Sequence, residues 1–137
     1  MKRSQLRETV FKLIFESEIR DESLLEILDS FLKRSAEPME SGEQYREEDL
    51  GFIKKYLQGI HERESVIRET IDKNMTGWVF DRIGFVERAI FKCSVYELLS
   101  KEIPIEIVVD EAVELAKKYG DEKTSDFVNG VLANIIN

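Results

Sequence analysis

Few side chains in this chain have the type and spacing that could do chemistry. Asp110, Glu111 and Glu114 bring three carboxylates close together in sequence, as a divalent-metal site would require. A bundle-type carboxylate centre also needs histidine partners and a second matching cluster, and the sequence supplies neither. His61 is the single histidine and stands between Ile60 and Glu62, so a zinc site on paired histidines has no basis; a solvated helix end is the expectation. Cys93 is the single cysteine, which excludes an internal disulfide and a CxxC metal site. It falls inside an apolar helical pattern and is expected as a small core residue. There is no GxxxxGKS/T or GxGxxG phosphate loop and no GxSxG elbow. The expectation is therefore no catalytic residue, no metal, no cofactor and no enzymatic activity.

Charge is the next source of chemistry. The net charge is −8, which taken alone argues against nucleic acid, because phosphate binding is driven by positive charge and counterion release. The distribution is uneven: Lys2, Arg3, Arg7 and Lys12 face only Glu8 in the first fourteen residues. Arg3 and Arg7 also share the azimuth of Val10 and Ile14 on a helix. The basic end thus continues a buried face and should emerge at the rim of the core, a placement suited to binding.

The elements that position these residues read as helices throughout. A chain of 137 residues, 42% hydrophobic and 35% charged, with two prolines and seven glycines, fits one all-α domain, 1–137. No apolar run reaches the ~20 residues of a membrane span and the N-terminus has no signal-peptide core, so a cytoplasmic location is expected. The longest apolar pattern begins near Ile83: Phe85, Val86, Ala89, Ile90, Phe91, Cys93, Val95, Tyr96, Leu98 and Leu99 cover most of a helical wheel, the mark of a helix buried nearly all round. A thin polar strip through Glu87, Ser94 and Lys101 is left to face water or a partner.

Around that helix the spacing predicts a first helix over 3–20 and a second over about 22–34, capped by Asp21 or Ser23. Residues 35–49 read as an exposed acidic loop. A long helical pattern over 46–73 breaks near 61–65, giving two helices, and 74–80 form a connector in which Trp78, the one tryptophan, anchors to the core. Beyond Pro104 a stripe of Ile105, Val108, Val109, Ala112, Val113, Ala116 and Tyr119 predicts a helix closed by Gly120 as a C′ residue. A final helix is expected with a cap at Thr124, Ser125 or Asp126 and a buried face of Val128, Val131, Leu132, Ile135 and Ile136. Gly130 inside it implies close packing or an approached backbone, since glycine there costs about 1 kcal/mol relative to alanine.

Three segments taken together carry a resemblance: WVFDRIGFVERAIFKCSVYELL, then IPIEIVVDEAVELAKKYG, then TSDFVNGVL. In that order and separation they resemble the NusB transcription antitermination family, with RETVFKLIFE similar to the family's first helix. The resemblance implies about seven helices in two packed sub-bundles, here about 1–73 and 74–137. It implies binding to the boxA element of nascent ribosomal RNA, jointly with NusE, a ribosomal small-subunit protein, within the RNA polymerase antitermination complex. By position it assigns RNA binding to Lys2, Arg3, Arg7 and Phe127, with Ser4 and Gln5 where further arginines are common. It assigns partner binding to Phe15, Asp81 and Glu87. An acidic body suits a basic ribosomal protein, and the basic tip and the Glu87 ridge are expected side by side. Two other readings use the same helices: an interaction or dimerisation module with no RNA role, and the RNA-binding front domain of a ribosomal RNA cytosine methyltransferase, whose catalytic domain this chain leaves no room for.

Overall fold

In the computed structural model, which describes residues 1–137, seven α-helices follow one another. They are α1 (Arg3–Arg20), α2 (Leu24–Arg34), α3 (Glu47–Glu62), α4 (Glu64–Lys73), α5 (Phe85–Ser100), α6 (Ile105–Tyr119) and α7 (Glu122–Ile136), with one 3-10 turn at Phe80–Arg82. No helix is long and apolar enough to cross a membrane. The all-α expectation and the break between α3 and α4 agree with this order.

Helix α5 is the axis of the packing, touched by α1, α3, α4, α6 and α7. Every residue from Ala89 to Glu97 is buried, and full burial of a side chain such as Ile90 or Phe91 contributes about 1.5–3 kcal/mol. Helix α1 lies against α5 with Val10 and Ile14 at no exposure. One continuous core of 30 buried residues joins elements from both halves of the chain. Ser23 caps α2 by accepting the Leu25 amide at 3.2 Å.

Several local expectations need correction. The thin polar strip of α5 is not a strip: Ser94 is 3% exposed, its hydroxyl donating to the Ile90 carbonyl at 2.8 Å, because neighbours close over that side too. Trp78 does not anchor the connector and is 54% exposed, while Phe80 and Ile83 enter the core instead. Gly77, at φ +79, turns the chain so that Trp78 points out. Asp49 does not belong to an open loop; it is buried in the first turn of α3, accepting the Arg46 amide at 2.9 Å and facing the N-terminal ammonium at 3.4 Å. Asp121, not Thr124, Ser125 or Asp126, caps α7 by accepting the Thr124 amide at 2.9 Å. Gly120 ends α6 at φ −122 rather than in the left-handed region. Ile105 and Ile136 are exposed, with Leu115 buried on α6. Gly130 is not closely packed, since a Cβ there would meet nothing within 4 Å.

Candidate functional site

The N-terminal basic residues divide into two kinds. Lys2 and Arg3 are exposed; Lys2 precedes α1 and its amide donates to the Gln5 side chain at 2.9 Å, which fixes the start of the helix. The Arg3 guanidinium lies 4.5 Å from the centre of the Phe52 ring on α3, so its cation is held over an aromatic face yet open to solvent.

Arg7 departs from the expectation of an exposed rim. It is 8% exposed, its Nε donates to Glu97 Oε2 at 2.9 Å, and Glu111 of α6 lies 3.9 Å from its Nη1. Tyr56 of α3 donates to the same Glu97 oxygen at 2.7 Å. Burial works against the Arg7 charge, but hydrogen bonding and attraction to Glu97 outweigh it and hold the guanidinium more firmly protonated. Burial, then the bond to Glu97, pushes the Tyr56 phenol well above its ordinary range. Cys93 lies in the same interior, where burial pushes its thiol up; a thiol so placed is chemically quiet. The network ties α1, α3, α5 and α6 together directly beneath the basic tip. Breaking such a buried pair costs far more than breaking a surface one.

The residues expected to meet a protein partner sit elsewhere. Phe15 is half-buried beside Phe11, ring centres 6.1 Å apart, and Phe11 meets Tyr119 at 4.8 Å. Asp81 is exposed and receives a hydrogen bond from Arg68 of α4. Glu87 is half-buried in the first turn of α5, where Oε2 accepts the Gly84 amide at 3.1 Å; a carboxylate there also meets the positive end of the helix. Phe80, between Asp81 and the core, is ringed by cations: Arg68 at 4.5 Å, Lys92 at 5.4 Å and Arg88 at 5.6 Å from its centre. Lys92, also buried, lies 3.0 Å from both Glu18 of α1 and Glu64 of α4. This cluster sets where Asp81 stands.

Phe127 packs edge-on to Phe91, ring centres 5.8 Å apart, and lines the same cleft as Glu87. The structure thus brings together Phe127 and Glu87, to which the resemblance gave different partners. It separates Glu87 from the basic tip. Arg7 meets α5 at Glu97, and ten residues of helix between Glu97 and Glu87 span about 15 Å. The expectation of tip and ridge standing side by side is corrected to tip and ridge at opposite ends of α5.

Sequence reasoning missed Glu97 and Lys92, and the signal was a charge inside an otherwise apolar helix, which stays buried only if another element pairs with it. It placed Trp78 in the core instead of at the cleft and missed Arg82 and Lys123 beside it; the Gly77-Trp78 turn was the available signal.

An α5-centred, all-α protein with an exposed basic tip at one end and an acid- and aromatic-lined cleft toward the other is the class defined here. The chain belongs to the NusB family, whose model matches residues 4–137. It is 42% identical over 132 residues to the transcription antitermination protein NusB of Fusobacterium nucleatum, covering 94% of this chain and 84% of that one. It is similar to the solved structure of Thermotoga maritima NusB with a TM-score of 0.84 at 36% identity, over 98% of this chain and 90% of that one. A crystal structure of antitermination factors NusB and NusE in complex with double-stranded RNA matches with a TM-score of 0.80 at 28% identity, over 98% of this chain and 97% of that one.

Proposed function

We propose that the chain is a non-enzymatic transcription antitermination factor of the cytoplasm that binds boxA RNA jointly with NusE and joins the elongating RNA polymerase complex. The observation that carries this reading is the likeness, over 98% of the chain, to a NusB solved with NusE and RNA. Lys2 and Arg3 at the open start of α1 take phosphate, because they are the cations there that remain exposed. Arg7 serves the same end from beneath, as the buried strut that fixes α1 on α5. Phe127 offers its exposed edge to RNA, while Phe15, Asp81 and Glu87 meet the basic partner protein.

With Arg3 the one exposed arginine at the start of α1, RNA affinity rests on the joint surface with NusE, since each phosphate neutralised on single-stranded RNA adds only about 0.7 to the salt slope. Size-exclusion chromatography of the chain, NusE and boxA RNA tests the reading. A single ternary peak is expected; separate elution of all three at micromolar concentration would overturn it.

A further inference from the structure

Lys92 is buried in the middle of α5, and neither the RNA contacts nor the partner contacts proposed above use it. An ammonium stays charged in such a place only where carboxylates reach it. Two do, from different helices. Lys92 Nζ donates to Glu64 Oε1, at the start of α4, at 3.0 Å and lies 3.0 Å from Glu18 Oε1 on α1. That Glu18 oxygen is buried and accepts no hydrogen bond, so the charge of Lys92 alone compensates it. No other side chain forms ion pairs with both α1 and α4.

Each link leads on to a residue assigned to the partner protein. Glu18 stands three residues after Phe15, on the same side of α1. Glu64 Oε1 also lies 3.6 Å from Arg68 Nη1, one turn along α4, and Arg68 in turn donates to Asp81. The ring of Phe80, the residue before Asp81, is flanked by Lys92 at 5.4 Å and Arg68 at 4.5 Å from its centre. Its amide is fixed by Asp72 Oδ1 at 2.8 Å. Glu87 belongs to α5 itself, five residues before Lys92.

We infer, on the partner reading above, that Lys92 is a positioning residue for the protein-partner surface. From inside the fold it holds Phe15 on α1, Asp81 on the 3-10 turn and Glu87 on α5 in one fixed relation, so that a basic partner meets a preorganised face. Groups held in place before binding lower the ordering cost of association. A methionine at this position fills the same length of space but leaves Glu18 and Glu64 without their shared cation. The ion-pair link between α1 and α4 is then gone.

The experiment measures NusE affinity by calorimetry for the full chain and for Lys92→Met, Lys92→Arg, Glu18→Gln and Asp81→Ala, with circular dichroism to establish that each is folded. Lys92→Met binds NusE about tenfold more weakly, within the range that changes away from a ligand contact produce. Lys92→Arg keeps a cation between the two carboxylates and retains most of the affinity. RNA affinity of the chain alone is unmoved by either, because Lys2 and Arg3 stand outside the cluster. If Lys92 acts through Asp81, the double variant Lys92→Met with Asp81→Ala loses less than the product of the two single factors. Parental NusE affinity in folded Lys92→Met, or losses at Lys92 and Asp81 that simply multiply, overturns the assignment and leaves the partner reading intact. Where Lys92→Met does not fold, Glu18→Gln decides: NusE binding weakened about threefold supports the assignment and parental affinity overturns it. No binding of NusE by the parent chain overturns both.

Discussion

Arg7 and Glu97 lie ninety residues apart in sequence and 2.9 Å apart in space, both buried. Their ion pair locks α1 to α5, and Tyr56 brings α3 into the same bond. Glu97→Ala leaves the buried Arg7 charge with only its looser contact to Glu111 at 3.9 Å and is expected to cost about 3 kcal/mol. Arg7→Ala strands Glu97 at comparable cost, and the double variant costs less than the sum. Urea unfolding followed by circular dichroism measures all three; losses below about 1 kcal/mol would mark the pair as no more than a surface contact.

Arg3→Ala is the contrasting change. Arg3 is exposed over Phe52, so its loss changes the unfolding free energy by no more than about 0.5 kcal/mol. It lowers the slope of log affinity against log salt for RNA by about 0.7. An unchanged slope would take Arg3 out of the phosphate contacts.

At Glu87 the charge and the helix cap must be separated. Glu87→Gln keeps an oxygen for the Gly84 amide and removes only the charge, whereas Glu87→Lys removes both and adds about 0.5–2 kcal/mol of lost capping. Weaker NusE binding by both variants, with Glu87→Gln losing no more than about 0.3–1 kcal/mol of stability for its missing charge at the helix start, is the expected calorimetric result. Full retention of NusE by Glu87→Lys contradicts the assignment.

These predictions rest unequally on what the sequence displays. Helix α1 is legible from its first residue to its last, and the α3–α4 break from the polar run after Gly59, because both depend on local periodicity. The azimuth of Arg7 is also legible, but its meaning is not. A cation on an apolar stripe is buried or rim-exposed according to whether a carboxylate from another helix reaches it, and Glu97 comes from far along the chain. Trp78 misleads for a related reason: a large apolar side chain promises burial, while the left-handed turn at Gly77 decides its direction. Asp121 is the cap missed because its partner Thr124 is itself a good capping residue. Gly130 signals a cost without showing whether packing requires it.

Gly130 therefore permits a clean test. With open space where a Cβ would go and a helical backbone, Gly130→Ala is expected to stabilise by about 1 kcal/mol, raising the melting temperature by roughly 2–6 °C. If that more stable variant binds RNA or NusE less well, the partner approaches the α7 backbone at this point. A lower melting temperature would contradict the open helix face.

Acid should weaken the contacts that the fold makes to ionised carboxylates. The Arg46 amide holds Asp49 below its ordinary value, burial opposes it and the N-terminal ammonium adds to the lowering. At Glu8 burial raises the value, but bonds from Lys118 and Tyr119 prevail and lower it. Carboxylates lowered in the fold contribute stability above their unfolded values near pH 4, lost as pH falls through the folded ones. The melting-temperature gap between the parent and Asp49→Asn should be fullest at pH 5–7 and close toward pH 2. A gap constant down to pH 2 would show that ionisation of Asp49 is not its source.

Joint recognition of RNA and NusE is tested most directly by labelled boxA RNA titrated with the chain in the presence and absence of saturating NusE, and the converse titration of NusE with and without RNA. The two ligands are predicted to tighten each other by the same factor, as linkage requires, and by tenfold or more. RNA affinity indifferent to NusE, or a chain and NusE that together bind boxA no better than unrelated RNA, would contradict the account.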